Sequence, residues 1–581
     1  MSFVPPVTEQ RFVLEHIANI AGLAESERFA EASADMVDAI LDGAGQLAAG
    51  EWAPLNRVGD ELGAKLTDQG VVMPDGFREA YRAYVEGGWG TIAAPADFGG
   101  QGMPFSLAAA ILESLGSANM AFSLCPMLSV GAIEALTHHG SSEQQAAYLP
   151  KLSTGEWSGT MNLTEPQAGS DVGALKTKAE PASDGSWRIK GQKIYITFGE
   201  HDLADNIIHL VLARTQGAPE GTKGISLFLV PRYRLDDNGA PGAANDVRCV
   251  SMEHKLGIHA SPTCTMSFGD NDDCHGWLIG PENGGMRAMF TMMNNARLNV
   301  GLQGVQIGER ATQRAVHFAR ERIQSARAGS GSREPVAIVG HPDVRRMLLR
   351  MKSLTMAGRA LVYYAAGQVD AATLGDEAAK ARSEVLTPLA KAYGTDAGCE
   401  IADLGVQVHG GMGFVEETGA AQYFRDIRIA PIYEGTNGIQ AADLVGRKLG
   451  LAGGDAMRSL LSDIANGAEG EPHLAALAAD CEAVVHWLAS GEADVDDRLA
   501  ASYPFLTMLS VATCGWLMAR QNRIAQAQLD TGEGDSDFLK MKIAAARFYL
   551  DQIVPEASGL KAAATAKADI LYSVDEETFA A

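Results

Sequence analysis

Apolar residues recur at three- and four-residue spacing through the first 158 residues, most clearly in Phe29–Gly50 and Leu107–His139. That spacing lines one face of a helix, so this part of the chain is expected to be helical. Glycine and proline in Ala94–Gly102 punctuate it. The pattern changes near Gly159. From there to about Gly280 the apolar residues fall into short β-rich runs: Trp187–Ile189, Lys193–Phe198, Ile207–Ala213, Ile225–Val230 and Thr263–Phe268. Turn-forming clusters at Ser183–Ser186 and Asp236–Gly239 divide them. Helical spacing returns in Ala288–Arg327, His341–Val369 and Asp376–Val408, lengths that suit a helix bundle, with Ala328–Glu334 as a turn or mobile loop. The pattern divides the chain into an N-terminal extension (1–35), an N-terminal helical domain (36–158), a middle β-domain (159–282), a helix-bundle domain (283–450) and a C-terminal helical extension (455–581).

With 46% apolar and 20% charged residues in 581, the chain has the balance of a globular protein with a large core. The net charge of −25 repels phosphate backbones and anionic membrane surfaces, and from Asp455 onward 20 acidic residues face only 9 basic ones. Neither nucleic-acid binding nor a membrane anchor is expected. The apolar run Pro504–Ala519 is too short for a span and reads as a buried helix. The seven cysteines stand singly with no CxxC pair, which fits reduced thiols in a cytoplasmic protein. No secretory signal is expected in the polar, proline-bearing Met1–Gln10.

Three segments carry candidate chemistry. In Met161–Gly173, the stretch Ala168-Gly169-Ser170 suits a turn exposing N–H groups and a hydroxyl to a flavin edge or a pyrophosphate. The same residues read as a capped turn between strand and loop. In Val406–Phe414, Gly410 and Gly411 let a backbone approach a phosphate or sugar closely, and equally suit a helix C-cap. In Arg425–Gln440, Glu434 sits between Tyr433 and Gly435 behind apolar Pro431-Ile432. An apolar setting disfavours the charged carboxylate and makes it a stronger general base; a helix-capping glutamate is the plainer reading. Arg322 suits an anion or solvent, and Arg297 an inward pairing with a carboxylate. Gly269–His275 lacks the spacing of a calcium loop, and His138-His139 suits a helix C-terminus. No Ser-His-Asp triad or P-loop stands out.

Met161–Gly173, the following strand Gly191–Thr197 and the Tyr-Glu-Gly-Thr motif at Tyr433–Thr436 together resemble the signatures of the acyl-CoA dehydrogenase family. The resemblance covers roughly residues 80–450. It implies an α+β multidomain fold: an N-terminal helical domain, a middle β-barrel and a C-terminal four-helix bundle, here followed by an extra helical domain. It further implies FAD as cofactor and Glu434 as the base that takes the α-proton of an acyl-CoA. The β-hydride would pass to FAD, and a trans-2-enoyl-CoA would leave.

Among the cofactor positions so implied, Met161, Gly169 and Ser170 belong to the first signature, with Leu163 and Thr164 on the pyrimidine side. Tyr195 and Thr197 lie against the flavin ring, and Thr436 on the flavin side of the base motif. Gln407, Gly410 and Gly411 touch a neighbouring subunit's FAD, whose pyrophosphate Arg322 pairs. Ser170, Arg297 and Gly435 are implied at the substrate. The implied partners are an electron-transferring flavoprotein and a second copy of the chain, most simply as a homodimer. The sequence departs from the family at Tyr195 (Trp there), Phe198 (Asn), Gly438 (Gln or Glu) and His341-Pro342 (often Gln), so contacts at the last three are not expected to carry over. The N-terminal extension, with Phe3-Val-Pro-Pro and Phe12-Val-Leu, and the residues beyond 450 resemble the long bacterial branch of the family. That branch includes an enzyme acting on 3-methylmercaptopropionyl-CoA, the preferred substrate expectation ahead of straight or branched acyl-CoAs. A DNA-binding or alkylation-defence relative and an acyl-CoA oxidase are the alternatives from other classes.

Overall fold

The computed structural model describes residues 2–581, apart from the side chain of Asn294, and the chain clusters into two compact units. Helices α1 (Val7–His16) and α2 (Ile20–Ala24) group with the second unit, which otherwise holds Arg297–Ala581. The first unit holds Ser2–Val7 and Glu27–Ala296.

In the first unit α3 (Ala34–Leu47) and α4 (Leu55–Leu62) lead to a small hairpin, β1 (Lys65–Thr67) and β2 (Gly70–Val72), that the apolar pattern does not show. Then come α5 (Phe77–Glu86), α6 (Phe105–Ala118), α7 (Met120–His139) and α8 (Ser142–Thr154). The helical spacing over Leu107–His139 belongs to two helices divided at Asn119, which leaves helical backbone (φ −157°) and caps α7 by accepting from Phe122 N at 3.2 Å. By length and composition α7, not Pro504–Ala519, is the helix apolar enough to cross a bilayer among the described residues; 83% of its most apolar window is buried. That is the signature of a core helix.

The β-domain contains β3 (Trp157–Asn162), β4 (Lys178–Pro181), β5 (Trp187–Thr197), β6 (Asn206–Thr215), β7 (Ile225–Pro231), β8 (Tyr233–Leu235), β9 (Pro241–Ala244), β10 (Val247–Met252), β11 (Thr263–Phe268) and β12 (His275–Ile279). β4 pairs with β5 on one side and β6 on the other, so β5, β12, β7, β6 and β4 close into a barrel. β6 and β7 are buried on both faces, which is why they read as continuous apolar runs. The two runs expected at Trp187–Ile189 and Lys193–Phe198 are one strand, β5.

Helix α9 (Gly285–Glu321) crosses the boundary between the units. It stops six residues short of the expected Arg327 because Ile323–Ala326 forms β13, paired with β14 (Pro335–Ala337); Ala328–Glu334 is the tip of that hairpin. The second unit continues with α10 (Pro342–Thr373), α11 (Glu377–His409), α12 (Ala420–Ile427) and α13 (Asn437–Asp443). The extension follows as α14 (Asp455–Gly467), α15 (Pro472–Ala489), α16 (Val495–Thr531), α17 (Ser536–Phe548), α18 (Val554–Ser558) and α19 (Lys561–Ala564). α9 and α11 meet backbone to backbone. A Cβ on Gly304 would lie 1.8 Å from Gly394 O, and one on Gly398 would lie 2.5 Å from Gly304 Cα. The extension is bound to this bundle by Arg382 to Asp463 (2.8 Å), Arg350 to Glu556 (2.8 Å) and the Tyr364–Trp516 ring pair.

Candidate active site

Glu434 lies in the loop between α12 and α13, with backbone in the left-handed region (φ 54°). Asn437 N donates to Pro431 O at 3.0 Å and closes the loop, and Thr436 caps α13 by accepting from Ile439 N. Gly435 follows with φ 81°, and a Cβ there would meet the Gln440 amide at 2.8 Å. Two buried cations face Glu434. Arg297 comes from α9 and is 6% exposed; Lys391 comes from α11 and is fully buried. Burial pushes the Glu434 carboxyl above its ordinary range, and Arg297 and Lys391 pull the other way. Burial lowers Arg297, which Asp443 and Glu434 oppose. Its Nε finds no partner among the described residues. Behind the loop, Tyr433 OH donates to Gln303 Oε1. No described acceptor takes the Glu434 backbone N–H. A partly buried carboxylate of raised basicity beside a free donor is equipped to take a proton from a carbon acid while its oxyanion is stabilised.

At the far end of α9 stands a second group. Arg322 is exposed, one turn beyond Phe318, whose ring stacks on His409 at 4.5 Å. That contact brings Arg322 to the end of α11, where Gln407, Gly410 and Gly411 are also exposed. Gly410 (φ 59°) is the C-cap of α11, and a Cβ on Gly410 or Gly411 would meet nothing within 4 Å. The cap leaves the backbone of both glycines open. From Arg297 to Arg322 the helix rises about 37 Å, so Arg322 is not grouped with Glu434.

In the first unit the other expected cofactor residues come together around β3 and β5. Between Lys193 and Ile196, β5 carries one residue more than the facing stretch of β11, a bulge that puts Tyr195 in left-handed backbone (φ 59°) and turns its ring outward, 60% exposed. Thr164 O accepts from Ile194 N at 2.9 Å, which lays Leu163 and Thr164 beside Tyr195 and Thr197. Glu165 and Ala168 exchange backbone bonds across a tight turn, leaving Gly169 and Ser170 exposed after it. Met161 is buried within β3. Phe198, where the family has an amide, turns its ring inward against His201 (5.6 Å), so no polar contact is offered there. His341 opens α10 and bonds Gln324 O at 2.8 Å. A free aromatic face, a hydroxyl-bearing strand edge and open glycine backbone fit a flavin nucleotide.

Sequence patterning missed the residues that brace these positions. Lys193 Nζ donates to Leu163 O (3.0 Å) and to Glu165 Oε1 (2.8 Å), and Thr177 and Lys176 also donate to Glu165. Burial would raise Glu165, but Lys193 together with the bonds from Thr177 and Lys176 outweighs it and holds the carboxyl down to about 2. In the second unit Lys391, Asn437 and Asp396 are bonded to one another behind the Glu434 loop. No group of three or more metal-ligating side chains is present among the described residues, Gly269–His275 included.

Four family models match in succession: acyl-CoA dehydrogenase N-terminal domain (residues 37–156), middle domain (160–271) and C-terminal domain (283–449), then acetyl-CoA dehydrogenase C-terminal like (458–575). The chain is 45% identical to the 3-methylmercaptopropionyl-CoA dehydrogenase of Ruegeria pomeroyi, over 99% of this chain and 100% of that one. It is 38% identical to a butyryl-CoA dehydrogenase of Syntrophomonas wolfei, over 92% and 93%. It shares the fold of the Bacillus anthracis acyl-CoA dehydrogenase complexed with FAD, at a TM-score of 0.75, 22% identity, and 93% and 90% coverage.

Proposed function

The chain belongs to the acyl-CoA dehydrogenase family of FAD-dependent oxidoreductases acting on the CH–CH bond of an acyl-CoA, and from that premise we propose that Glu434 is the base and 3-methylmercaptopropionyl-CoA the preferred substrate. The observation that carries the base assignment is a strained, partly buried glutamate of raised basicity between Arg297 and Lys391. FAD, when bound, takes up the hydride that leaves the β-carbon. Glu434 takes the α-proton as the α C–H bond breaks. Its backbone N–H donates to the thioester oxygen as negative charge develops there. Leu163, Thr164, Tyr195, Thr197 and the turn at Gly169-Ser170 would hold the flavin, and Gly435 gives the substrate room beside the base.

Full-length likeness to the Ruegeria enzyme supports the substrate, ahead of the lower likeness to a butyryl-CoA enzyme. The rise of about 37 Å along the helix between Arg297 and Arg322 supports a homodimer in which Arg322, Gln407, Gly410 and Gly411 serve the neighbour's FAD, with exposed Met412 and Phe414 beside them as apolar surface to cover. An electron-transferring flavoprotein would reoxidise the cofactor. Turnover of 3-methylmercaptopropionyl-CoA, butyryl-CoA and palmitoyl-CoA tests the substrate: the first should give the highest kcat/KM, and a clear palmitoyl preference ends the proposal. Stoichiometric peroxide release during that turnover would replace the flavoprotein acceptor with oxygen.

A further inference from the structure

The loop that carries Glu434 is tied to the C-terminal extension by a chain of polar side chains inside the second unit. Lys391 Nζ donates to Asn437 Oδ1 at 2.8 Å. The Asn437 amide donates in turn to Asp396 Oδ1 at 2.8 Å, as well as to Thr395 Oγ1 and Ala392 O. Asp396 Oδ2 accepts from Tyr503 OH at 2.5 Å. Asn437 is the first residue of α13 and stands three positions after Glu434; Tyr503 belongs to α16, which packs on α13. One hydroxyl of the extension therefore ends a chain whose other end faces the base. Nothing in the reaction requires this extension, yet it reaches the support of the reactive loop.

We propose that Tyr503 is a positioning residue for the dehydrogenation: through Asp396, Asn437 and Lys391 it fixes the Glu434 loop and keeps a lysine side chain facing the Glu434 carboxylate. This rests on Glu434 being the base. The charged and titratable groups around the chain come from every neighbouring element: Arg297 on α9, Asp396 and Cys399 on α11, Arg428 and Tyr433 in the loop, Asp443 and Arg447 at the end of α13 and just beyond, and Tyr503 on α16. Burial draws Lys391 down to about 7 against the pull of Glu434 and Asp396, so its charge is poised and sensitive to both. Burial pushes Asp396 up, and the bonds from Tyr503 and Asn437 oppose that rise. The sign follows. The phenol keeps Asp396 ionised, ionised Asp396 keeps Lys391 protonated, and protonated Lys391 lowers the pH at which Glu434 gives up its proton. Loss of the phenol weakens each link and moves the acid limb of the reaction to higher pH.

The test uses the flavin-loaded full chain carrying Tyr503→Phe, with Asp396→Asn as a second variant of unchanged shape. Flavin content, melting temperature and the pH dependence of anaerobic flavin reduction by acyl-CoA are compared with wild type. The expected result is an acid limb raised by about half to one pH unit in both variants, with a several-fold loss of kcat below that limb and little change in KM or flavin content. Should Tyr503→Phe lose its flavin, Asp396→Asn carries the test alone. A limb that stays in place overturns the proposal, as does a loss confined to flavin content or melting temperature. Glu434→Gln run alongside separates the two ideas. If it still reduces flavin, the base assignment fails; if it does not, and Tyr503→Phe keeps the wild-type limb, only the positioning role fails.

Discussion

Two residues expected at the cofactor and the base, Tyr195 (φ 59°) and Glu434 (φ 54°), stand in left-handed backbone, as do other non-glycine residues with no expected chemistry, Phe198 (φ 49°) among them. For bulky side chains such backbone costs about 1–2 kcal/mol per residue, a strain that persists where the surroundings impose it. Tyr195→Gly relieves that strain and removes the aromatic face. It is expected to leave the melting temperature of flavin-free protein unchanged or higher while weakening FAD retention several-fold, read by flavin absorbance after gel filtration; full flavin retention would remove Tyr195 from the cofactor site. The sequence made Glu434 a candidate through its apolar neighbours and offered Arg297 as an inward arginine beside a carboxylate, but it showed neither the backbone strain nor Lys391. Lys391, in Pro388-Leu-Ala-Lys, looks like any lysine on a helix, and only the fold brings Tyr503 to Asp396 across 107 positions. Contacts between residues so far apart leave no local pattern to read.

Elements were legible wherever burial imposed a period. α10 and α11 follow their apolar spacing, and β11 spans Thr263–Phe268 as expected. Short pieces were not. β1 and β13 bury no residue and β2 buries only Val71, too few positions to set a period, and the bulge in β5 interrupts the alternation that reveals a strand. Glycines within α9 and α11 leave no mark in the apolar spacing, and their role is visible only where the two helices meet. Gly304→Ala would place a methyl 1.8 Å from Gly394 O. It should lower stability by about 1–3 kcal/mol and disturb the pairing of Arg297 and Lys391 with Glu434, seen as a lower melting temperature together with a lower kcat. Gly358→Ala, whose new methyl would come no closer than 3.4 Å to Val305, is the control and should be neutral or stabilising. Equal effects of the two would show that the α9–α11 contact is not the cause.

At the scale of the chain, Thr8–Ser26 of the N-terminal extension lies in the second unit with the C-terminal extension, and the two lock to each other there. Lys542 of α17 is bonded to Glu9 of α1 (2.8 Å) and to Gln521 (2.7 Å), and lies 4.3 Å from the Phe12 ring centre; Arg359 joins Glu9 to Glu309. Burial pushes Glu9 up, but Lys542 and Arg359 outweigh it and hold the carboxyl below its usual range. A carboxyl so lowered adds stability above its unfolded pKa of about 4.3, which is lost as pH falls through the folded value. Glu9→Ala strands a buried ammonium. It should cost about 3–5 kcal/mol near neutral pH, with the gap to wild type closing in acid, as thermal melts at several pH values would show; a constant gap would mean that packing alone is lost. The order of helical, barrel, bundle and extra helical regions was legible because the period switches from helix to strand and back, whereas the mutual docking of the two chain ends was not. The central claim remains that Glu434 removes the α-proton, and one measurement tests it most directly: anaerobic addition of 3-methylmercaptopropionyl-CoA to flavin-loaded wild type and Glu434→Gln, followed by flavin absorbance. Bleaching in wild type, with binding but no bleaching in the variant, is the predicted result. Bleaching of both at similar rates would contradict the account.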